Sequence, residues 1–516
     1  MIHRLPKHKL IQLLEAATPE QEWVLDTETN GLDVMGQEAP HYAWWIGLSP
    51  LGSPSVFIIS REEYDDWGLS EWFKRLRLVG HNLRFDLHAL DLVPEVAWKD
   101  TMVAAYFAHT SGKRSMDHIA RMNGWTNIET PNALKQGRIA EMFEPELFEY
   151  LENDCIITSK MAKKLPLHSC PFDYKVEQAV YGMERRGLRL LLDKLGDVAC
   201  RLDEMIKSRL HLLRHEGLEG NPDSPIQVAE WLLSRKRKLP LTATGKPSTS
   251  KLALQQLVDN GDDLADAIIQ YRKAIKLKTS FVEPLPQMAQ DGILYPRTNG
   301  IIACDFSQVE LRVAAAFAGE PVLLDAFERG HCPHTEVAAK MVGKRVEDVT
   351  THERFKAKAV NFGILNGMGA KRLAIELKTD RREALKFLTE YKRNLSRLNE
   401  WMEGIWREAE SFQIARTVAG RTRIFTSNEG TRSAVSVVVQ GSAAELIRHS
   451  LVAVHEAGLE PLLTVHDEII VGDANEIKAE MLREVMEDAA NRAYTGSFGS
   501  VKFLAEATLG DTWGDA

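Results

Sequence analysis

The run Ile301-Ile302-Ala303-Cys304 is short, apolar and β-branched, and it ends abruptly in Asp305. Such a run reads as a strand that carries a carboxylate at its tip. Far downstream, Leu462–Val465 and Ile469–Val471 flank the polar His466-Asp467-Glu468, which predicts a hairpin with Asp467 at the turn. Two carboxylates displayed from neighbouring strands of one sheet suit a two-metal site for nucleotidyl transfer. Between them, Arg354, Lys358, Asn361, Phe362 and Leu365 recur at helical spacing and are expected to share one face. A cationic, aromatic face opposite paired acids suits a nucleoside triphosphate, because charge meets phosphate and the ring stacks on base or sugar.

A second set of acids lies in the first third. Trp23–Asp26, Tyr42–Leu48 and Ser55–Ile59 read as strands, Glu71–Leu76 as helical, and Leu78–Gly80 as a brief strand leading into a helix from Phe85. Asp26 and Glu28 are two residues apart at a strand end, so both project to one face. Asp86 opens the next helix, and Tyr150 and Asp154 stand four apart on a later one. Brought together, Asp26, Glu28, Asp86 and Asp154 are able to hold two hard divalent ions, and oxygen ligands favour Mg²⁺ or Mn²⁺ over zinc. Any one of these acids alone is more often a surface or capping residue.

Beyond Leu165–Phe172, expected to be a linker, the chain reads as mostly helical from Tyr174 to about Met288, with basic runs at Arg235–Lys238 and Arg272–Lys278. Helices are expected again from Asp305 to about Phe412, and Glu476–Tyr494 closes with an amphipathic helix. The 516 residues suggest about three domains. Lys and Arg total 64 against 73 Asp and Glu, a net charge of −9, which argues against a uniformly basic coat protein but not against an enzyme with a local basic groove. Five scattered cysteines form no CxxC pair, so structural zinc and a disulfide scaffold are not expected. No signal peptide and no membrane span are expected either, and the expected location is the cytoplasm (a host cell's, if the source is viral).

The order DxE, NxxFD, YxxxD resembles the three motifs of the DEDDy 3′–5′ exonucleases, a resemblance that implies Tyr150 orients the attacking water. Asp100 lies where these exonucleases often carry an Asp-Thr pair and is given no catalytic role. Asp305-Phe306-Ser307-Gln308-Val309-Glu310, then Arg354…Lys358…Asn361-Phe362-Gly363, then His466-Asp467-Glu468 resemble motifs A, B and C of the family A DNA polymerases. Gly330…His334, the QGSAAE segment, Pro247–Ser250, Tyr271–Thr279 and Gly510–Trp513 extend that resemblance over nearly the whole chain.

The resemblance implies an α/β protein, an RNase H-like exonuclease domain followed by a right-hand polymerase domain. The implied division is 1–165 exonuclease, 166–290 thumb and approach to the palm, 291–330 palm with motif A, 331–430 fingers with motif B, and 431–516 palm with motif C. It leaves no room for an N-terminal 5′ nuclease, so a likeness to compact bacteriophage replicative polymerases is expected.

The resemblance also implies residue roles. Asp305, Phe306 and Asp467 would bind two catalytic Mg²⁺ or Mn²⁺ ions, with Glu468 as an accessory acid. Arg354, Lys358 and His334 would grip the triphosphate, Lys358 would protonate the leaving pyrophosphate, and Glu310 would exclude a 2′-hydroxyl. Phe362, where some relatives have tyrosine, implies discrimination against dideoxynucleotides. Arg432, Ser436, Gln440, Asn366, Lys276 and Lys278 would touch DNA, although Ser436 stands where the family usually has asparagine and Asn366 where it has tyrosine.

Implied partners are primer–template DNA, dNTPs, and a replicative helicase, primase or processivity factor, with the chain a monomer. Two other readings compete with it: an exonuclease on a degenerate polymerase scaffold, and a non-enzymatic nucleic-acid-binding protein. Intact Asp305, Asp467, Arg354 and Lys358 count against the first, and acidic clusters with no charge to neutralise count against the second. The run Leu294–Ile301 enters motif A directly where the family carries several dozen further residues. The expectation is that a segment is left out here rather than naturally deleted; a Cα spacing of about 3.8 Å at Asn299–Gly300 would contradict it.

Overall fold

Strand Glu22–Thr29 decides how the first third folds, because Trp23, Val24 and Leu25 are all buried and so need cover on both faces of a sheet. The structure, a computed structural model, describes residues 2–31, 34, 42–108, 113–126, 129–188, 191–242, 244–285, 300–377, 379–426 and 430–515. The Asn299–Gly300 peptide, on which the missing-segment expectation turns, lies outside the described residues.

Among these, Ile2–His3 (β1), Glu22–Thr29 (β2), Ala43–Pro50 (β3), Val56–Ser60 (β4), Arg77–Gly80 (β5) and Lys99–Asp100 (β6) form a mixed sheet in the order β1-β4-β3-β2-β5-β6. β2 pairs antiparallel with β3 and parallel with β5. Its side chains alternate. Trp23 and Leu25 join Leu10, Leu14 and Phe73 on one face, while Val24 joins Val56, Ile58, Leu151 and Cys155 on the other. Helix Glu144–Lys164 covers that second face. Asp26 and Glu28 share the face of Val24, so the sheet's own alternation aims them at this helix.

A second sheet is built from Ile301–Phe306 (β7), Pro461–Val465 (β10), Glu468–Gly472 (β11) and Ala505–Gly510 (β12), with a small hairpin Ile414–Arg416 (β8) and Thr422–Ile424 (β9) elsewhere. The order is β10-β11-β7-β12, antiparallel throughout. Ile302, Cys304 and Phe306 are almost wholly buried, which places β7 inside this sheet. The predicted hairpin forms with a two-residue turn, in which His466 takes a left-handed φ of 56°. Neither β12 nor the β8–β9 hairpin is foreshadowed by an apolar run. Ala505-Glu506-Ala507-Thr508 has weak strand character and is ordered by pairing with β7.

Helix Ala434–Glu456 is apolar and long enough to cross a bilayer, yet 61% of its most apolar 18-residue window is buried in the protein. It is a core helix. Helix Pro171–Arg186 ties the two sheets' surroundings together. Its Glu184 and Glu177 pair with Arg84, and Asp173 meets Arg421 at 2.6 Å and also pairs with Arg448. Both arginines also pair with the buried Glu445, which closes a four-membered charge cluster.

The chain divides into two compact units, Met1–Leu188, Asp291–Gly369 and Phe387–Ala516 against Arg189–Gln290 and Ala370–Lys386. The second is helical, as expected for Tyr174 to about Met288, with Leu192–His215, Pro225–Ser234, Lys251–Val258 and Asp263–Leu277 packed around Leu213, Val228, Leu232, Leu254 and Ile268. Ser224, Ser250 and Asp262 cap the last three through hydrogen bonds to backbone amides.

Two candidate active sites

Four acids converge above β2. Carboxylate oxygens of Asp26, Glu28 and Asp154 lie within 4.8 Å of one another. Asp86, from helix Leu83–Ala89, joins them through a 2.7 Å hydrogen bond from the Thr27 hydroxyl. The close approach of helix Glu144–Lys164 depends on Gly47, which pairs with Asp26 across β3, because a Cβ there would come within 2.7 Å of Cys155 Sγ.

Burial, and then repulsion from Asp86 and Asp154, raises the Asp26 carboxyl well above its ordinary range, and Glu28 is raised likewise. Burial pushes Asp86 up to about 8 against the Thr27 hydrogen bond, and Asp154 to about 7. Carboxyls driven this far toward the neutral form are a fit for divalent cations, which would supply the missing positive charge. Tyr150 is buried beside them, its hydroxyl bonded to Asp154 and 3.2 Å from the Thr130 hydroxyl. Asp100 accepts from the backbone amides of Asn82, Leu83 and Met102, which is a capping role.

The second site sits at the end of β7. Asp305 is exposed although its strand neighbours are buried, and it lies opposite Glu468 on β11. The backbone amide of Phe306 donates to the Asp467 carbonyl at 3.3 Å, docking the hairpin tip against β7. Burial, Asp467 and Glu468 push Asp305 up to about 6, and a hydrogen bond joins the Asp305 and Asp467 carboxyls. Two acids crowded together at the end of β7 again fit a divalent cation.

Two neighbours were not legible in the sequence. Glu506 on β12 stands opposite Asp305 on the other side, completing a row Glu468–Asp305–Glu506. Trp513 Nε1 donates to Glu468 Oε2 at 2.8 Å. The sequence signal was nearness to the Gly510–Trp513 segment for Glu506 and membership of it for Trp513, neither of which points to the acids.

Helix Thr351–Leu365 carries the expected cations but splits the expected face. Arg354, Lys358, Phe362 and Asn366 form an exposed row, while Asn361 and Leu365 turn inward with Ala357, Val360 and Ile364. Asn361 Nδ2 donates to His334 Nδ1 at 2.8 Å. His334, on helix Pro333–Val342, is buried; burial and the charges of Arg354 and Lys358 push it down to about 4, so it is neutral at ordinary pH. Glu310, on helix Val309–Ala318, is raised by burial and held back by a hydrogen bond from Gln440.

Arg432 falls in a 3₁₀ turn before helix Ala434–Glu456, which carries Ser436 and Gln440. In the second unit Lys276 is exposed and Lys278 binds Asp203 at 2.6 Å. Arg235 and Arg237 pair with Glu216 and Asp262, and Arg272 donates to the carbonyls of Pro222 and Thr249. Part of each basic run is therefore consumed inside its own unit.

Residues 292–515 match the model of a family described as DNA polymerase family A. The chain is 26% identical to DNA polymerase I of Pseudomonas aeruginosa over 86% of its own length and 57% of that protein. It is 28% identical to thermostable DNA polymerase I of Thermus thermophilus over 82% of its length and 56% of the relative's. The chain thus spans little more than half the length of these curated relatives. Against DNA polymerase I of Aquifex aeolicus it is 25% identical, covering 84% of this chain and 88% of that one. Among solved structures, the POL domain of Pol1 from M. smegmatis, in complex with DNA primer-template and dNTP, superposes with a TM-score of 0.78 at 20% identity, covering 99% of both chains. This likeness is one of fold, a mixed α/β chain consistent with a right-hand polymerase.

Proposed function

We propose that the chain is a DNA-templated DNA polymerase that adds dNTPs to a primer 3′ end and proofreads with a 3′–5′ exonuclease. The observation that carries the polymerase half is that the stretch matched to family A holds the Asp305–Asp467 pair and the exposed row Arg354, Lys358 and Phe362 in one compact unit. Asp305, Phe306 and Asp467 would hold Mg²⁺ or Mn²⁺, with Glu468 beside them. Bound there, the ions would polarise the phosphoryl oxygens and activate the primer hydroxyl.

The chain's own residues set up the rest. Arg354 and Lys358 are exposed and would present their charge to a triphosphate, and Lys358 would give a proton to the departing pyrophosphate. His334, being neutral, would contribute a hydrogen bond rather than charge. Glu310 would close the space below a deoxyribose. Arg432, Ser436, Gln440 and Asn366 line up to meet the duplex, and Lys276 and Lys278 would follow its phosphates.

The exonuclease half is supported by the convergence of Asp26, Glu28, Asp86 and Asp154 in a buried cluster of raised carboxyls, with Tyr150 bonded to one of them. These acids would hold the ions, and Tyr150 would orient the attacking water. The reading extends to a monomer acting in the cytoplasm on primer–template DNA with a helicase, primase or processivity factor, and to a bacteriophage-like replicative role. Incubation with a primed template, Mg²⁺ and dNTPs tests it: extension is expected, and degradation without extension would contradict the polymerase half.

A further inference from the structure

Asn366 ends helix Thr351–Leu365 and uses both halves of its amide. Its Nδ2 donates to the Phe362 carbonyl at 3.0 Å, while its Oδ1 accepts from Ser436 Oγ at 3.0 Å and from Gln440 Nε2 at 3.4 Å. Gly367, with a φ of 70°, brings the next turn so near the other chain segment that a Cβ would lie 3.0 Å from the Arg432 carbonyl. Trp406 Nε1 holds that same carbonyl at 3.2 Å. Gln440 in turn hydrogen-bonds Glu310, the residue that follows Asp305 by five positions. A continuous polar path therefore runs from the exposed cationic row, through Asn366 and Gln440, to Glu310.

We propose that Asn366 and Ser436 form a matched polar clasp that orients Gln440, and through it Glu310, so that the pair sets how strictly a ribose 2′-hydroxyl is refused. The proposal rests on the polymerase reading above, in which both residues also face the duplex; toward the sugar of the incoming nucleotide they are positioning residues. The physical reasoning is local. Ser436 offers a short hydroxyl that needs an acceptor, and Asn366 supplies one without filling the space a ring would take. With Ser436 and Gln440 both donating to one oxygen, removal of that acceptor frees Gln440 directly, while removal of the Ser436 hydroxyl lets Asn366 Oδ1 shift and carry Gln440 with it, so that Glu310 loses its fixed partner. Residues bound in one network are expected to lose function together rather than additively.

Two measurements decide it. The first follows hydrogen exchange at the Gly367 and Met368 amides, which donate to Ile364 and Gly363 in the turn the clasp closes. Asn366→Ala and Ser436→Ala should each speed exchange there by about three- to tenfold, the double variant should do no more, and Ser436→Thr should behave as wild type. The second compares primer extension with ribo- and deoxynucleoside triphosphates. Each alanine variant should admit ribonucleotides about three- to tenfold more readily relative to deoxynucleotides, with Ser436→Thr restoring discrimination.

Unchanged exchange in both alanine variants overturns the clasp, even in a chain that extends primers normally. Faster exchange with an unchanged nucleotide ratio overturns the role in sugar discrimination. A wild-type chain that extends no primer overturns the polymerase reading and that role with it, while the exchange data still decide whether the clasp exists.

Discussion

Gly47 lies against Cys155 so closely that an added Cβ would meet its Sγ at 2.7 Å. The contact fixes how near helix Glu144–Lys164 can come to β2, and that distance decides whether Asp154 reaches Asp26 and Glu28. Gly47→Ala should therefore lower exonuclease activity by about tenfold or more, since small displacements of reacting groups are costly. Adding Cys155→Ala makes room for the new methyl and should recover most of the loss. Single-strand degradation assays on the two variants check this, and unimpaired degradation by Gly47→Ala would show that the packing does not set the acids' geometry.

Asp86 and Asp154, pushed up to about 8 and about 7, bind protons more tightly in the folded chain than in the unfolded one. Their contribution to stability is complete below the unfolded carboxyl pKa of about 3.9 and is lost as pH rises through the folded values. Without divalent cations, Tm should fall more steeply between about pH 4 and about pH 8 than in Asp86→Asn/Asp154→Asn, and Mg²⁺ should raise Tm most at the alkaline end. Differential scanning calorimetry across that range measures the difference. Parallel pH profiles for the two proteins would rule out the assignment.

Phe362 is partly exposed in the row with Arg354 and Lys358 and offers no hydroxyl. Phe362→Tyr should raise dideoxynucleotide incorporation by about tenfold or more, because the added hydroxyl replaces the hydrogen bond a missing 3′-OH would have made. Competition between dideoxy- and deoxynucleotides in primer extension reads the change directly. An unchanged ratio removes Phe362 from the sugar's surroundings.

Asp173 accepts from both Arg421 and Arg448 while Glu445 bridges the same two guanidiniums. Asp173→Ala leaves two cations sharing one buried acid and should cost about 3 kcal/mol. Denaturant unfolding with Asp173→Ala alone and together with Arg448→Met tests whether the second change recovers part of the loss. Equal stability of Asp173→Ala and wild type would show that the cluster contributes nothing to this junction.

Much of this was legible in the chain itself, for a physical reason. β2, β7 and the 461–472 hairpin are spelled by short apolar runs ending in acids, so Asp26, Glu28, Asp305 and Asp467 stood out before any contact was known. What escaped was set by distant register and by burial. Glu506 reaches Asp305 only because β12 pairs with a strand about 200 residues earlier, and its own segment has weak strand propensity. Helical spacing grouped Asn361 and Leu365 with Arg354 and Lys358, but periodicity names neighbours without saying which side of the stripe is covered. The basic runs gave charge without partners, and Arg235, Arg237 and Arg272 turn out to spend theirs on local acids and carbonyls. The Asn366–Ser436 bond joins residues 70 apart, and each looked in isolation like a lost contact.

Under the proposed function one chain holds two separate metal-dependent sites, one to extend DNA and one to trim it. Primer extension and degradation measured side by side for Asp467→Ala and Asp26→Ala test it most directly. Asp467→Ala is expected to abolish extension and keep degradation, while Asp26→Ala is expected to keep extension and abolish degradation. Loss of both activities in either variant, or survival of both, would contradict it.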